Sequence, residues 1–301
     1  MIFRRAAAAS LLCALACPPA GAVIILDSTY KAEGYKAAEA LAAEPQFAAV
    51  FAFCYEDGTG CGGASGTWIG NDDSHGYILT AAHNFGDGFV ADSWVYRSKA
   101  GRIYTGQAVA VHPNYLRIVA ENEANEAKLG FDVAIVTLTE PVTDAGEQPL
   151  LYTGSEELGE TLTFVGYGSR GAAGAGENEK EPAGEVAAAA QGVIESVEPL
   201  KLSAAGAADG NYMQVWLPKE DGSVENVLGG ELTTPVSKYA GLLGSGDSGG
   251  SAWLETPNGW AIAGTNGNGS GNAQYGDLSG FPRISGHIDW ITGVFPGARV
   301  E

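Results

Sequence analysis

The chain alternates short apolar runs with glycine-rich turns, and this alternation limits the folds that are open to it. Glycine accounts for 44 of the 301 residues, and the runs between the glycines, such as residues 77–80, are rich in β-branched and aromatic side chains. Runs of this length and composition, bounded by turn residues, are typical of β-strands. The exception is residues 284–295, where isoleucine and phenylalanine recur at helical spacing. With 45% hydrophobic residues, the chain can bury a large core, and we predict an all-β protein.

The first 22 residues predict an export signal. Two arginines precede an apolar stretch of 12 residues, Ala6–Cys17, which is too short to span a bilayer. The small residues Ala20 and Ala22 then frame a cleavage site after Ala22. A lipoprotein signal ending at Cys17 is the alternative, but the Ala-Leu-Ala before that cysteine is a weak match. We therefore expect a secreted protein, extracellular or periplasmic, whose mature chain begins at Val23.

The chain is strongly acidic, with a formal charge of −20. Removing the signal takes away two basic residues and no acidic ones, which leaves 14 basic against 36 acidic residues and a charge of −22. Such a charge favours solubility and argues against nucleic acid or an anionic membrane as a partner. No later stretch has the length and apolarity of a transmembrane helix. We expect a monomer that binds neither nucleic acid nor membrane.

Two of the four cysteines leave with the signal, so that only Cys54 and Cys61 remain. In an exported chain, an even pair this close predicts one local disulfide. Two thiols without accompanying histidines make a poor zinc site. We therefore predict a disulfide between Cys54 and Cys61, no metal site and no cofactor.

Near the C-terminal end, residues 244–250 place a single candidate nucleophile, Ser248, in a run of glycines. A serine hydroxyl is a weak nucleophile at neutral pH, so it needs an imidazole to take its proton and a carboxylate to orient the imidazole. His83 and Asp132 supply these groups, and each lies beside a strong strand pattern. Taken singly, each residue also has a structural interpretation, as a core histidine, a charge at a strand edge and part of a turn.

Three local strings together resemble those of the trypsin/chymotrypsin family of serine proteases, and the resemblance is to a secreted member of bacterial type. The strings occur in the order histidine, aspartate, serine. They are Leu79-Thr80-Ala81-Ala82-His83, Phe131-Asp132-Val133-Ala134-Ile135-Val136-Thr137-Leu138 and Gly246-Asp247-Ser248-Gly249-Gly250. Weaker similarities occur at His112-Pro113-Asn114-Tyr115, Phe164-Val165-Gly166-Tyr167-Gly168 and Asp289-Trp290-Ile291. Independent strings in one order are more specific than any one of them.

The resemblance implies two antiparallel six-stranded β-barrels packed together, with a short C-terminal α-helix over about residues 284–295. The first barrel is expected over residues 45–145, with His83 and Asp132, and the second over 146–301, with Ser248. Residues 23–44 are expected to be an N-terminal arm or a pro-segment. Residues 171–192, almost wholly alanine, glycine and glutamate, predict an exposed mobile insert in the second barrel.

The resemblance also implies a role for each site residue. Ser248 attacks the scissile carbonyl, His83 acts as general base and then as general acid, and Asp132 orients His83. The backbone amides of Gly246 and Ser248 form the oxyanion hole. Asp247 is a buried structural acid that shapes this hole.

The chain departs from the family at the partner of Asp247. Active members begin with a branched apolar residue, usually followed by Val-Gly-Gly, whose amine pairs with the acid before the serine. No such string occurs near residues 30–34. We therefore expect Asp247 to pair with a lysine, an arginine or a hydrogen-bonded network, which lets the enzyme act without removal of a pro-segment.

The expected substrate pocket also departs from the family. Asn84 and Gly244 stand where family members carry cysteines. The residue six before the nucleophile, at the base of the pocket, is Leu242. Leucine cannot pair with arginine or lysine, so we expect cleavage next to uncharged residues. Besides Leu242 and Gly244, the expected pocket residues are Thr265, Asn266 and Gly267.

These residues predict a serine endopeptidase that acts on protein or peptide substrates through an acyl-enzyme intermediate. The alternative is a catalytically silent binding or adhesion module of the same fold, but such a module has no chemical need for all three triad residues. Residues 246–250 also fit the serine elbow of the α/β-hydrolases. That fold requires the acid and then the histidine to follow the serine, and only His287 lies downstream.

Overall fold

The computed structural model describes residues 23–56, 60–86, 88–121, 126–178, 183–198 and 211–301. The predicted export signal, residues 1–22, lies outside these ranges. The strands are β1 Ile24–Ile25, β2 Val50–Cys54, β3 Cys61–Asn71, β4 Gly76–Thr80, β5 Val95–Arg97, β6 Ile103–Val111, β7 Ala134–Leu138, β8 Leu150–Leu151, β9 Thr161–Gly166, β10 Gly171–Ala172, β11 Gly176–Glu177, β12 Ala188–Glu198, β13 Tyr212–Trp216, β14 Gly241–Leu242, β15 Ser251–Thr256, β16 Gly259–Thr265, β17 Asn268–Gly269, β18 Leu278–Pro282 and β19 Arg299–Val300.

Helices are few and short among the described residues. They are α1 Asp27–Glu33, α2 Lys36–Ala42, α3 Pro113–Glu121 and α4 Ile288–Val294, with 3-10 turns at Pro45–Phe47, Ala82–Asn84, Ala91–Ser93, Glu126–Phe131 and Ile284–His287. None of these helices has the length and apolarity needed to cross a membrane. The prediction of a mostly β protein is confirmed.

Six strands of the first half form a closed antiparallel barrel in the order β2-β3-β4-β7-β6-β5. Aromatic side chains fill its interior, because Phe51, Phe53, Tyr96 and Tyr104 all point inward and are buried. The rings of Phe53 and Tyr96 meet edge to face, with centroids 4.7 Å apart, a favourable aromatic geometry. The prediction of a six-stranded antiparallel barrel is confirmed for this half.

The second half forms a nine-stranded sheet in the order β17-β18-β13-β12-β9-β15-β16-β8-β19. The predicted second closed barrel is not seen among the described residues. One edge is extended by β8, which pairs in parallel with both β16 and β19, and the other edge ends at the short exposed strand β17. These added edge strands leave an open sheet in the described ranges.

Buried side chains join the barrel to the sheet. One cluster combines Leu79 and Ile135 of the barrel with Val165 and Trp253 of the sheet. Phe295, just after α4, belongs to the same cluster. The shared core fixes the ends of β4 and β7 relative to the turn that precedes β15.

The described part of residues 171–192, which leaves out 179–182, does not form the predicted exposed insert. Within the described part of this range lie β10, β11 and the start of β12. Ala188, Ala189 and Ala190 are fully buried, since helix α2 packs directly on β12 and only small side chains fit beneath it. For these described residues the expectation of exposure was wrong, because small side chains also suit close packing of a helix on a strand.

The N-terminal segment from Val23 is integrated into the fold. Strand β1 lies between β10, to which it is parallel, and β14, to which it is antiparallel. The Arg170 guanidinium donates a hydrogen bond to Oε1 of Glu39 at 2.5 Å and lies over the ring of Tyr35. These contacts fasten helices α1 and α2 to the second half of the chain.

Two local predictions are confirmed. Cys54 and Cys61 form a disulfide, which joins β2 to β3. The C-terminal helical segment consists of the 3-10 turn Ile284–His287 and helix α4, with Ile291 fully buried.

Candidate active site

A cavity of about 370 Å³ lies between the barrel and the nine-stranded sheet, and His83, Asp132 and Ser248 all line it. The first two residues come from the barrel, and Ser248 lies in the turn between β14 and β15. Residues far apart in the sequence are thus gathered at one surface. The fold brings together the three residues on which nucleophilic catalysis was predicted to depend.

Antiparallel pairing of β4 and β7 positions His83 and Asp132. Thr80, at the end of β4, is opposite Ala134, at the start of β7. His83 follows three residues after Thr80 and Asp132 precedes Ala134 by two, so both lie beyond the same end of the strand pair. Asp132 binds His83 at two points: Oδ1 accepts the backbone N–H at 2.9 Å, and Oδ2 lies 2.5 Å from Nδ1. The carboxylate therefore fixes both the backbone turn and the imidazole ring.

The environment of His83 shifts its pKa upward. Burial lowers the pKa, but the negative charge of Asp132 and its hydrogen bond outweigh this effect, and the net change is a rise. The side chain of Asp132 is 4% exposed, against 38% for His83. A buried carboxylate beside a partly open imidazole stabilises the protonated form of that ring.

The turn that carries Ser248 offers two unpaired backbone donors. Within the described ranges, neither the Gly246 nor the Ser248 N–H donates a hydrogen bond, whereas the N–H groups of Asp247, Gly249 and Gly250 all have acceptors. Gly246 has φ +92°, and a Cβ at this position would lie 2.1 Å from the carbonyl oxygen of Gly62. Only glycine fits here. The two N–H groups are available to stabilise a negatively charged oxygen.

The barrel holds this turn through two side chains that the sequence did not reveal. Ser65, on β3, donates from its hydroxyl to the carbonyl of Gly246 at 2.9 Å and accepts the Tyr167 N–H at 2.9 Å. Asn84, next to His83, donates from Nδ2 to the carbonyl of Ser248 at 3.0 Å. The sequence did offer a signal for Asn84, because asparagine stands there where family members carry cysteine. It offered no such signal for Ser65.

Comparison with known families shows the family to which the chain belongs. The family model described as trypsin-like peptidase domain matches residues 64–255, well over half of the chain. The chain belongs to this family. The matched range contains His83, Asp132 and Ser248, and the resemblance seen in the local strings is confirmed. Among the curated proteins, none matches the chain.

Membership makes the protein a peptidase, and peptides are its substrates. Its fold is not that of an α/β-hydrolase, because strands β9, β12, β15 and β16 around the serine turn pair antiparallel. The alternative based on the serine elbow is therefore wrong.

In this trypsin-like peptidase, Asp247 is fully buried and bound by main-chain nitrogens. Its carboxylate accepts hydrogen bonds from Gly244 at 2.8 Å, Gly168 at 2.9 Å and Val23 at 3.2 Å. No lysine, arginine or histidine side chain in the described ranges forms an ion pair with it. Of the expected partners, the hydrogen-bonded network is the one observed. Burial raises the pKa of Asp247 to about 7.

Val23, whose main-chain nitrogen contacts Asp247, was missed as a site residue. No apolar start of the family's kind occurs near residues 30–34, and the residue that reaches Asp247 is Val23. The available signal was the branched apolar run Val23-Ile24-Ile25, which directly follows the predicted cleavage site.

The expected substrate pocket of the peptidase is only partly observed. Gly244 and Gly267 line the cavity beside Ser248. Leu242 does not, because its strand pairs with β1 and places it opposite Ile24, fully buried. The next residue, Leu243, lines the cavity instead. The cavity's further lining residues include Tyr115, Lys128, Glu177, Gly269, Gly271 and Ala273.

Thr265 and Asn266 are also buried outside the cavity lining. Asn266 supports the nucleophile turn: its Nδ2 donates to the carbonyls of Val165 and Asp247 at 3.0 and 3.1 Å, and its own carbonyl accepts the Gly249 N–H. The prediction placed both residues in the pocket wall, but Asn266 lies behind the turn.

Proposed function

We propose that this trypsin-like peptidase is a secreted serine endopeptidase that cleaves peptide bonds through an acyl-enzyme intermediate. The observation that carries the proposal is that one cavity is lined by Ser248 and by the His83–Asp132 pair, with two unpaired N–H groups on the serine turn. A nucleophile, an oriented base and an oxyanion site are the three groups that acyl transfer requires.

In the proposed reaction, the Ser248 hydroxyl attacks the scissile carbonyl and His83 takes its proton through Nε2. The charge that develops on the carbonyl oxygen is stabilised by the N–H groups of Gly246 and Ser248, each worth roughly 3 to 4 kcal/mol. Protonated His83, stabilised by Asp132, then donates the proton to the leaving amine as the C–N bond breaks. Water, deprotonated by His83, attacks the acyl-enzyme and releases the carboxylate product and the Ser248 hydroxyl.

We further propose that the side chain next to the scissile bond is uncharged. Leu243, Ala273 and the glycines at 267, 269 and 271 give the cavity near Ser248 small and apolar surfaces. Glu177 also lines the cavity, but its Oε1 accepts the Ser245 N–H and hydroxyl at 2.7 and 2.9 Å. Because one of its oxygens is already bound twice, we expect Glu177 to be a poor partner for a basic side chain.

Secretion is proposed on sequence grounds, from the export signal in residues 1–22. The Cys54–Cys61 disulfide supports this proposal, because disulfides persist in oxidising compartments outside the cytosol. We also propose that the enzyme acts as a monomer and, given its acidity, binds neither nucleic acid nor anionic membranes.

The deciding experiment measures hydrolysis of a peptide library by the mature protein, with cleavage sites assigned by mass spectrometry. The proposal predicts internal cleavage after uncharged residues and loss of all cleavage in Ser248→Ala. Binding of peptides without hydrolysis would instead identify a silent module of the same fold. Preferred cleavage after lysine or arginine would contradict the proposed specificity while leaving the chemistry intact.

A further inference from the structure

A buried histidine of the second half, His287, contacts the segment that carries Asp132. It lies at the end of the 3-10 turn Ile284–His287 and is 2% exposed. Its Nε2 lies 2.9 Å from the carbonyl oxygen of Gly130, two residues before Asp132. Because a carbonyl oxygen only accepts, Nε2 carries the proton and donates. The segment with Asp132 is thus bound by a side chain from the half that carries Ser248.

The backbone at Asp132 forms a tight turn that is held from both sides. The N–H of Val133 donates to the carbonyl of Phe131 at 2.8 Å, which closes a three-residue turn with Asp132 at its centre. On one side of this turn, the Val133 carbonyl accepts the N–H of His112 at 3.0 Å. The contact with His287 lies on the other side. Movement at either contact would displace the Asp132 carboxylate.

We propose that His287 is a positioning residue for Asp132. By fixing the Gly130 carbonyl, its Nε2–H holds the turn in the orientation in which the carboxylate reaches both the backbone N–H and Nδ1 of His83. His287 does not line the cavity, so it acts through Asp132 and not on the substrate. The inference rests on the proposed function of the His83–Asp132 pair.

The uncharged state of His287 suits this role. Burial, and then the charge of His112, lower its pKa to about 3. Its Nδ1 has no hydrogen-bond partner among the described residues, so a second proton there would be buried without an acceptor. A cation at this position would compete with His83 for the negative charge of Asp132. A neutral donor binds the backbone and leaves the carboxylate to His83.

Aromatic packing keeps the His287 ring in this orientation. Its ring meets that of His112 edge to face, with centroids 4.9 Å apart, and that of Phe131 at 5.9 Å. Asn211, directly before β13, approaches the same segment closely, since a Cβ at Gly130 would lie 2.3 Å from its side chain. Close packing and one directed hydrogen bond therefore set the position of this segment relative to the second half.

The test separates the hydrogen-bond donor from the ring with two variants. His287→Phe keeps an aromatic ring but removes the Nε2–H, whereas His287→Gln removes the ring but keeps a neutral donor. We expect kcat for peptide hydrolysis to fall on the order of 10- to 100-fold in His287→Phe, because a displaced catalytic group slows the chemical step. KM should be nearly unchanged in this variant, and His287→Gln should retain most of the wild-type kcat.

A matched control removes a buried side chain from the same C-terminal segment without touching this hydrogen bond. Ile291, in helix α4, is fully buried. Ile291→Ala should lower the thermal midpoint by leaving a cavity, and it should not lower kcat. A merely structural role of His287 would make His287→Phe behave in the same way as this control.

A second readout, NMR titration of the His83 ring, does not depend on catalysis. Burial and the charge of Lys128 lower the pKa of His83, but Asp132 outweighs them and the net shift is upward from 6.5. In His287→Phe, displacement of Asp132 should let this pKa fall toward 6.5. It should keep its wild-type value in His287→Gln and in Ile291→Ala.

Wild-type kcat and an unchanged His83 pKa in His287→Phe would overturn the inference and leave the peptidase function in place. An equal loss in His287→Gln would also overturn it, since the ring and not the donor would then matter. If one of the two variants does not fold, the other decides alone: retention in His287→Phe or loss in His287→Gln overturns the inference, and the opposite results support it. If the wild-type protein hydrolyses no peptide, the proposed function fails, and the titration of His83 then decides the role of His287.

Discussion

The hydroxyl of Ser65, on strand β3 of the barrel, donates a hydrogen bond of 2.9 Å to the carbonyl oxygen of Gly246 in the serine turn. The Ser65 hydroxyl oxygen also accepts the buried N–H of Tyr167 at 2.9 Å. One side chain of the first half thus joins two segments of the second half at the edge of the cavity. The relative position of His83 and Ser248 depends on contacts of this kind.

Replacement of this hydroxyl tests the link. Ser65→Ala leaves the Tyr167 N–H and the Gly246 carbonyl without their partner, so we expect the free energy of unfolding to fall by roughly 1–3 kcal/mol. Peptide hydrolysis should slow as well, because the Gly246 peptide loses its tether. Urea unfolding and kcat measure the two effects, with Ser223→Ala, an exposed serine, as the control. Unchanged stability and rate in Ser65→Ala would show that the turn is held by other contacts.

The His83–Asp132 contact predicts the effect of a neutral replacement at Asp132. Asp132→Asn preserves size but presents an amide to Nδ1, which disturbs the tautomer that His83 needs. We expect kcat to fall by about 10⁴-fold, the typical cost of this change in a serine triad. A fall of less than tenfold, measured on a correctly folded variant, would remove Asp132 from the mechanism.

The acidic limb of the pH profile follows from the raised pKa of His83. The base must be neutral to accept the Ser248 proton, and a raised pKa means that protonation already occurs above the ordinary histidine value of 6.5. kcat/KM should therefore fall as pH drops through a midpoint above 6.5, since this ratio reports the free enzyme. In Asp132→Asn the midpoint should move to lower pH. An acidic limb at or below 6.5 in the wild type would contradict the proposed charge balance.

The disulfide predicts a change of stability. Cys54 and Cys61 are 7 residues apart, and opening such a short loop in the double variant Cys54→Ser, Cys61→Ser should lower the free energy of unfolding by about 2 kcal/mol. Urea unfolding with and without a reducing agent measures the difference. Reduction should lower the stability of the wild type and leave that of the double variant unchanged.

The candidate site residues could be predicted from the sequence because each of them lies in a local string of residues that resembles the family's. His83, Asp132 and Ser248 each adjoin a strand, and β4 and β7 bring the first two together through ordinary antiparallel pairing. The residues that line the pocket were harder to predict. Leu242 faces Ile24 across a strand pair between residues far apart in the chain, and such a long-range pairing leaves no local signal.

The amino-acid composition led to a wrong prediction of exposure where small residues pack closely. Residues 188–190 are alanines and suggested an exposed segment, yet they are buried because a helix lies directly on their strand. The sheet of the second half was also not predictable in detail, because the parallel pairing of β8 with β16 and β19 joins segments that share no pattern. The contact of Val23 with Asp247 was not predicted because it joins residues far apart in the chain.

The most direct test of the central claim is to label the Val23-start protein with a fluorophosphonate probe and to locate the adduct by mass spectrometry. A single adduct on Ser248, lost in Ser248→Ala and kept in Ser223→Ala, is the result expected of an activated nucleophile. Hydrolysis of peptide should fall with it by about 10⁶-fold in Ser248→Ala, as when a catalytic serine is removed from other serine proteases. Failure of the wild-type protein to react, or an adduct that persists in Ser248→Ala, would contradict the account.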